Sequence, residues 1–289
     1  MNKFKGTGVA LVTPFNDDKT VDYKSLEKLV EHVITNGVEF LVVLGTTGET
    51  ATLTKEEKKE VLNFVIKTNN SRLPIVAGFG GNNTTEIINS IKESDFSNID
   101  AILSVTPYYN KPSQAGIYEH YKAISENSPV PIILYNVPGR TALNMTAETT
   151  LKLAHDFENI IAVKEASGNF SQIMEIVKNK PKDFLVISGD DALTLPLMSV
   201  GVDGVISVVA NALPDSFSEM VRLANKKDFT KSYDLHYKNL DFINALFEDG
   251  NPGGIKAALT IMGIVENNFR LPLVSVNQNT YNKLKKLLN

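Results

Sequence analysis

The feature that most constrains this chain is an alternation. Eight short β-rich runs occur at Gly8–Pro14, Phe40–Gly45, Pro74–Phe79, Ala101–Pro107, Pro131–Pro138, Ile160–Ser167, Phe184–Asp190 and Asp203–Ala210, separated by longer stretches of helical periodicity. The runs are almost continuously apolar, as strands covered by helices must be. In Tyr23–Gly37, Leu26, Leu29, Val30, Val33 and Ile34 mark a single helical face. Thr54 with Glu57 fits a capping box, Ser113 precedes another helix, and Gly37 stands where a C-terminal glycine belongs. Eight strand–helix units satisfy closure of a parallel barrel, whereas an open doubly wound sheet usually uses fewer. The expected fold is α/β, a (β/α)8 TIM barrel over residues 1–225. After Asn225 the alternation stops, and Phe229–Phe247, Gly254–Val265 and Asn277–Leu288 read as additional C-terminal helices. No linker-like composition separates them, so 226–289 is expected to pack on the barrel.

Bulk properties narrow the function classes. A chain of 289 residues with 43% hydrophobic content can bury a large core. A formal net charge of −4 is no footprint for nucleic acid or an anionic membrane, so any anion must be held by a local device. The absence of cysteine excludes disulfides, thiol nucleophiles and cysteine-ligated metals. The opening MNKFKGTGVALVTPF has no apolar stretch of signal or spanning length, which makes a cytoplasmic address the expectation. The four histidines, His32, His120, His155 and His236, fall singly in helical stretches and show no metal-ligand spacing.

Four polar features fall at C-terminal ends of the expected strands, where barrel enzymes place their chemistry. Lys164 lies in the apolar run Ile160–Ser167; burying an ammonium is costly unless it is paired or loses its proton, and a neutral amine can attack a ketone. The bland alternative is a strand-end lysine snorkelling to solvent. Gly45-Thr46-Thr47-Gly48-Glu49 can expose successive amides suited to a carboxylate, or be a tight turn and nothing more. Tyr108 and Tyr109 in Thr106–Pro112 are adjacent; in extended chain they point to opposite sides and serve different purposes. Tyr135 and Arg140 end the fifth run: a phenol can relay protons and a guanidinium can clamp a carboxylate, or they are a packed ring and a surface ion pair. Converging on one mouth, amine, nest, phenols and guanidinium fit reaction of an α-keto acid through an imine.

At these residues the chain resembles the dihydrodipicolinate synthases, within the pyruvate-dependent lyases that include N-acetylneuraminate lyase. The resemblance runs from Gly8 to Leu273 and is carried by GTTGE at 45–49, TPYYNKP at 106–112, YNVPGRT at 135–141, VKEASG at 163–168 and SGDD at 188–191. It implies condensation of pyruvate with aspartate semialdehyde, with Lys164 forming the Schiff base. It further implies a proton relay of Thr46, Tyr135 and Tyr109, the last lent by a neighbouring subunit of a homodimer or homotetramer. Amides of Thr46 and Thr47 would hold the pyruvate carboxylate, and Arg140 would receive the second substrate. Gly189 and the carbonyl of Ile206 would line the site. The iminium nitrogen is itself the electron sink, so neither metal nor organic cofactor is required.

Two positions depart from the family pattern. Where lysine-inhibited members carry histidines, Lys55 and Lys58 stand here, although Asn82, Glu86 and Tyr108 match other effector contacts. Like charge disfavours an incoming ammonium, so weak or absent feedback by lysine is expected. Gly254 replaces a usual proline in Asn251-Pro252-Gly253-Gly254, with a local backbone effect expected. Competing readings are N-acetylneuraminate lyase, a keto-deoxy-sugar-acid aldolase, and a catalytically silent keto-acid sensor. Arg140 and the tyrosine pair favour a small acid acceptor over a sugar.

Overall fold

The computed structural model describes residues 2–288. Eight parallel strands, β1 (Gly6–Ala10), β2 (Phe40–Val43), β3 (Ile75–Gly78), β4 (Ala101–Val105), β5 (Ile132–Asn136), β6 (Ile160–Glu165), β7 (Leu185–Ser188) and β8 (Gly204–Ser207), close into a barrel in chain order. β8 pairs back onto β1 in the register Gly6↔Gly204 and Gly8↔Ile206. The helices that return the chain are α1 (Tyr23–Thr35), α2 (Lys55–Asn69), α3 (Thr84–Lys92), α4 (Gln114–Ser125), α5 (Pro138–Thr141), α6 (Ala147–Asp156), α7 (Phe170–Asn179), α8 (Thr194–Ser199) and α9 (Pro214–Asn225). Beyond them lie α10 (Phe229–Phe247), α11 (Gly253–Ile261) and α12 (Gln278–Leu288).

Seven of the eight expected runs contain a strand and the eighth, Gly8–Pro14, overlaps β1, which begins two residues earlier at Gly6; each strand is shorter than its run. The apolar run continues past the last ladder bond because the βα turns are themselves buried. Leu11 and Val12, for instance, lie in the core although β1 has ended. Pro131 and Pro138 flank β5 and lie outside it, as a residue without an N–H must in a central strand. Local chemistry sets the helix starts. Thr54 and Glu57 form the reciprocal capping box of α2, and Ser113 accepts from Gly116 N at 3.2 Å to cap α4. Gly37 follows α1 at φ +86°, a left-handed turn that glycine adopts without a Cβ penalty.

Strand alternation produces two cores. Inward residues Ala10, Phe40, Val42, Val76, Leu103, Ile133, Ala162, Ile187 and Ile206 fill the barrel, and outward residues pack beneath the helices. Phe40 fits inside only because its register partner is Gly8, where a Cβ would stand 2.1 Å from the ring. Phe4 meets that ring edge-on, with centroids 5.6 Å apart, and helps fill the barrel interior. The C-terminal helices share this packing: Phe242, Leu246, Ile255 and Leu284 belong to the same buried cluster as Leu29, Leu41 and Val205. Gly254 brings α11 so close to α10 that a Cβ there would come 2.1 Å from the Leu246 carbonyl oxygen. The departure from proline thus coincides with a close helix approach.

Emptying the barrel centre should cost most where the fit is tightest. Phe40→Ala is expected to lower stability by about 3–5 kcal/mol, read as a fall in the urea midpoint at unchanged slope.

Candidate active site

The site is built on adjacent rungs of one strand pair. β5 and β6 run in the register Tyr135↔Lys164 and Asn136↔Glu165. Because successive side chains alternate, the first rung faces into the barrel and the second faces out beneath α7. Inside, Lys164 is buried, with 6% of its surface exposed, and its Nζ lies 4.4 Å from the centre of the Tyr135 ring. Outside, the buried Glu165 carboxylate is satisfied by neutral donors alone. Ser167 N donates at 2.8 Å, Asn136 Nδ2 at 3.1 and 3.2 Å, and Gln172 Nε2 at 3.1 Å. Asn136 also accepts from Met145 N at 2.9 Å, tying the loop after β5 to the same network. Slipping the register by a single residue would expose this carboxylate to the barrel and send Lys164 outward, so the outer rung fixes the inner one.

Gly189, just after β7, gives Lys164 its room. A Cβ at that position would meet Ala166 Cβ at 2.7 Å and Lys164 Cε at 3.0 Å. Ile206, on β8, is buried in the same interior cluster as Tyr135. Nearby Asp191 is fully enclosed; burial pushes its carboxyl up to about 6, against hydrogen bonds from Ser207 and from Val209 N and Val208 N at 2.9 and 3.0 Å.

After β2 the chain turns sharply, with Leu44 at φ +61° and Glu49 at φ +53° bracketing a single 3-10 turn, Thr46–Gly48. The first bonded amide of that turn is Gly48, to Gly45 O at 3.0 Å, which leaves the N–H groups of Thr46 and Thr47 as its unpaired leading donors. Thr47 is buried and Thr46 is exposed. Thr13 Oγ1 donates to Gly48 O at 2.7 Å and holds the turn against the end of β1.

Arg140 sits on α5, exposed, and donates from Nη2 to Asn251 O at 3.3 Å. The side chain of the same Asn251 donates to Thr47 Oγ1 at 3.0 Å. Asn251 therefore bridges the guanidinium and the Thr46–Gly48 turn, a role its sequence context does not reveal. Lys256, which the sequence motifs do not include, and Glu49, the last residue of GTTGE, form a wholly buried ion pair behind the turn. A signal existed: Lys256 is the sole charge in the apolar stretch 254–265, the same anomaly that marks Lys164 in its strand.

Tyr109 is not gathered to Lys164. Its ring is 89% exposed at φ +71°. The segment beyond β4 is a turn and not extended chain, so the alternation expected for Tyr108 and Tyr109 does not apply. Asn110 N donates to Tyr108 O at 2.9 Å, and Asn82 Nδ2 donates to the same carbonyl at 3.1 Å. Among the candidate effector residues, Asn82 and Tyr108 are thus brought together. Glu86 is exposed on α3, Lys58 is half-buried on α2, and Lys55 is ion-paired with Glu93 at 3.2 Å.

A buried amine over a phenol, at the C-terminal end of a closed (β/α)8 barrel, fits the class of Schiff-base lyases. The sequence profile of the Dihydrodipicolinate synthetase family matches residues 3–289. The chain belongs to that family. It is 55% identical over 284 residues, covering 98% of this chain and 96% of its relative, to the 4-hydroxy-tetrahydrodipicolinate synthase of Parabacteroides distasonis. Among solved structures, dihydrodipicolinate synthase from Aquifex aeolicus superposes with a TM-score of 0.96 at 42% identity, covering 99% of this chain and 97% of that one. The enzyme from Cyanidioschyzon merolae, solved with lysine bound, gives a TM-score of 0.95 at 40% identity, covering 99% and 97%.

The tight seat of Lys164 yields a direct test. Gly189→Ala should displace the amine and slow borohydride trapping of a keto acid about 100-fold, the order that a misplacement near 1 Å costs. Trapping at the wild-type rate would show that the side chain is not held by this contact.

Proposed function

We propose that the chain is a 4-hydroxy-tetrahydrodipicolinate synthase, condensing pyruvate with L-aspartate 4-semialdehyde through an imine on Lys164. The observation that carries this reading is the inward rung Tyr135↔Lys164, with the amine 4.4 Å from the phenol ring in a closed barrel. The Lys164 amine adds to the pyruvate ketone, and the carbinolamine loses water to give a protonated imine. Loss of a methyl proton moves the electron pair toward the iminium nitrogen and leaves an enamine carbon. That carbon forms the new bond to the aldehyde of the second substrate, whose oxygen takes up a proton. The amino group of the second substrate then displaces Lys164 by transimination, closing the ring and freeing the amine.

Each proton movement needs a group within hydrogen-bond reach. In this reading Tyr135 delivers the proton to the departing carbinolamine oxygen, and Thr46 and Tyr109 complete the relay. The exposed ring of Tyr109 is supplied to a neighbouring copy of the chain, so the active form is a homo-oligomer. The free amides of Thr46 and Thr47 take the keto-acid carboxylate, with Gly189 and the Ile206 carbonyl lining its other side. Arg140 receives the carboxylate of the semialdehyde. The extension 226–289 is a helical addition packed on the barrel and not an independent domain, and the enzyme works in the cytoplasm. No helix among the described residues is long and apolar enough to cross a membrane.

Purified protein incubated with both substrates and coupled to dihydrodipicolinate reductase should oxidise the reduced nicotinamide, and omission of either substrate should stop it. Lys164→Ala should eliminate borohydride-stable labelling by pyruvate; a persistent adduct, or turnover only with sugar aldehydes, would overturn the assignment.

Lysine feedback follows from the charges near the candidate cleft. Glu93 answers Lys55, and Lys58 has no carboxylate within salt-bridge distance among the described residues. An incoming ammonium therefore meets the like charge of Lys58. Titrating lysine against the coupled rate should show little inhibition, and strong inhibition in the millimolar range would refute this.

A further inference from the structure

Behind the Thr46–Gly48 turn, the structure places a charged pair completely out of water. The side chains of Lys256, on α11, and Glu49, which ends the turn, both have 0% exposure. Lys256 Nζ donates to the Glu49 carboxylate and, at 2.9 Å, to Asn268 O. Aromatic faces enclose the ammonium, with the ring centres of Phe15 and Phe269 at 4.3 and 4.9 Å. The other Glu49 oxygen accepts from Arg270 N at 3.4 Å. The Arg270 guanidinium reaches Thr52 O at 3.0 Å and the Glu57 carboxylate at 2.6 and 2.7 Å. Residues of the C-terminal extension thus grip the backbone that presents the amides of Thr46 and Thr47.

A buried ion pair gains little stability over apolar residues of equal volume, because desolvation offsets the attraction. It does fix geometry, since neither charge can leave its partner. Glu49 is the left-handed residue whose N–H donates to Thr46 O at 3.1 Å and whose carbonyl accepts from Thr52 N at 3.0 Å. Where the carboxylate is held, the turn is held.

We propose that Lys256 and Glu49 are positioning residues for keto-acid binding, through which the C-terminal extension sets the two free amides of the turn. The proposal rests on the reading that these amides take the pyruvate carboxylate. A loosened turn should then weaken recognition of the carboxylate and leave the amine chemistry intact.

The test compares borohydride trapping of pyruvate with that of pyruvamide, its uncharged isostere, in wild type and in the Glu49→Gln/Lys256→Met double variant. Both charges are removed together so that neither is left buried alone. Wild type should favour pyruvate, and the double variant should lose that preference on the order of tenfold while still labelling Lys164 at saturating pyruvate. A variant that keeps the full preference overturns the positioning role and leaves the carboxylate reading standing. Wild type trapping both ketones equally overturns the carboxylate reading and the proposal with it.

A pH series on wild type tests the same device without a folding risk. Burial pushes the Lys256 ammonium down to about 8, against Glu49, which holds it charged, while Arg270 and Lys19 add to the lowering. The pair is therefore intact below about 8 and lost as pH rises through it, so the pyruvate preference should fade there. Changes in rate common to both ketones cancel in the ratio. Lys256→Arg, which keeps its charge, should abolish the fade; a preference flat with pH in wild type would sink the proposal.

Discussion

Closure of the sheet is the constraint on which everything else depends. Once β8 pairs with β1, no strand can slide without breaking two ladders, and every residue is committed to the inside or the outside. The inside is narrow. It holds Phe40 only opposite Gly8, and it accepts the Lys164 chain only because Gly189 has no Cβ. A polar side chain on an inward position near the C-terminal rim therefore has nowhere to go but the mouth. Lys164, Tyr135 and Ile206 converge there because alternation along three strands leaves no other direction.

Among the described residues two lysines are buried, and the protein treats them in opposite ways. Lys256 is given a carboxylate, a carbonyl and two aromatic faces, so its charge is compensated on every side. Lys164 is given the face of a phenol and a glycine-made space. The first arrangement suits a fixed structural charge, and the second suits the imine chemistry proposed for Lys164. The Glu165 carboxylate, adjacent in chain but on the outer rung, is met by amide donors and brings no cation to the site.

Legibility followed the range of the interactions. The capping box at Thr54, the cap at Ser113 and the left-handed Gly37 are set by residues within a few positions, and they stand where the pattern placed them. Strand ends were overestimated because apolarity does not distinguish a paired strand from a buried turn, as Leu11 and Val12 illustrate. The tyrosine pair was misjudged for a related reason: beyond β4 the backbone leaves extended geometry, and Tyr109 takes a positive φ that no hydrophobic pattern announces. The roles of Asn251 and Lys256 are not legible in sequence because their partners, Thr47 and Glu49, lie 204 and 207 residues away.

The sequence by itself determined the number and order of strands, the inward positions at their ends and the motifs of the family, because these are properties of local period and residue type. Only the tertiary structure decided that the C-terminal extension grips the Thr46–Gly48 turn, that Asn251 joins that turn to Arg140, and that Tyr109 lies exposed on the surface of the single chain. Those facts depend on which surfaces meet when the barrel closes and the last helices dock. Contacts across such sequence distances are fixed by packing, which no local pattern encodes.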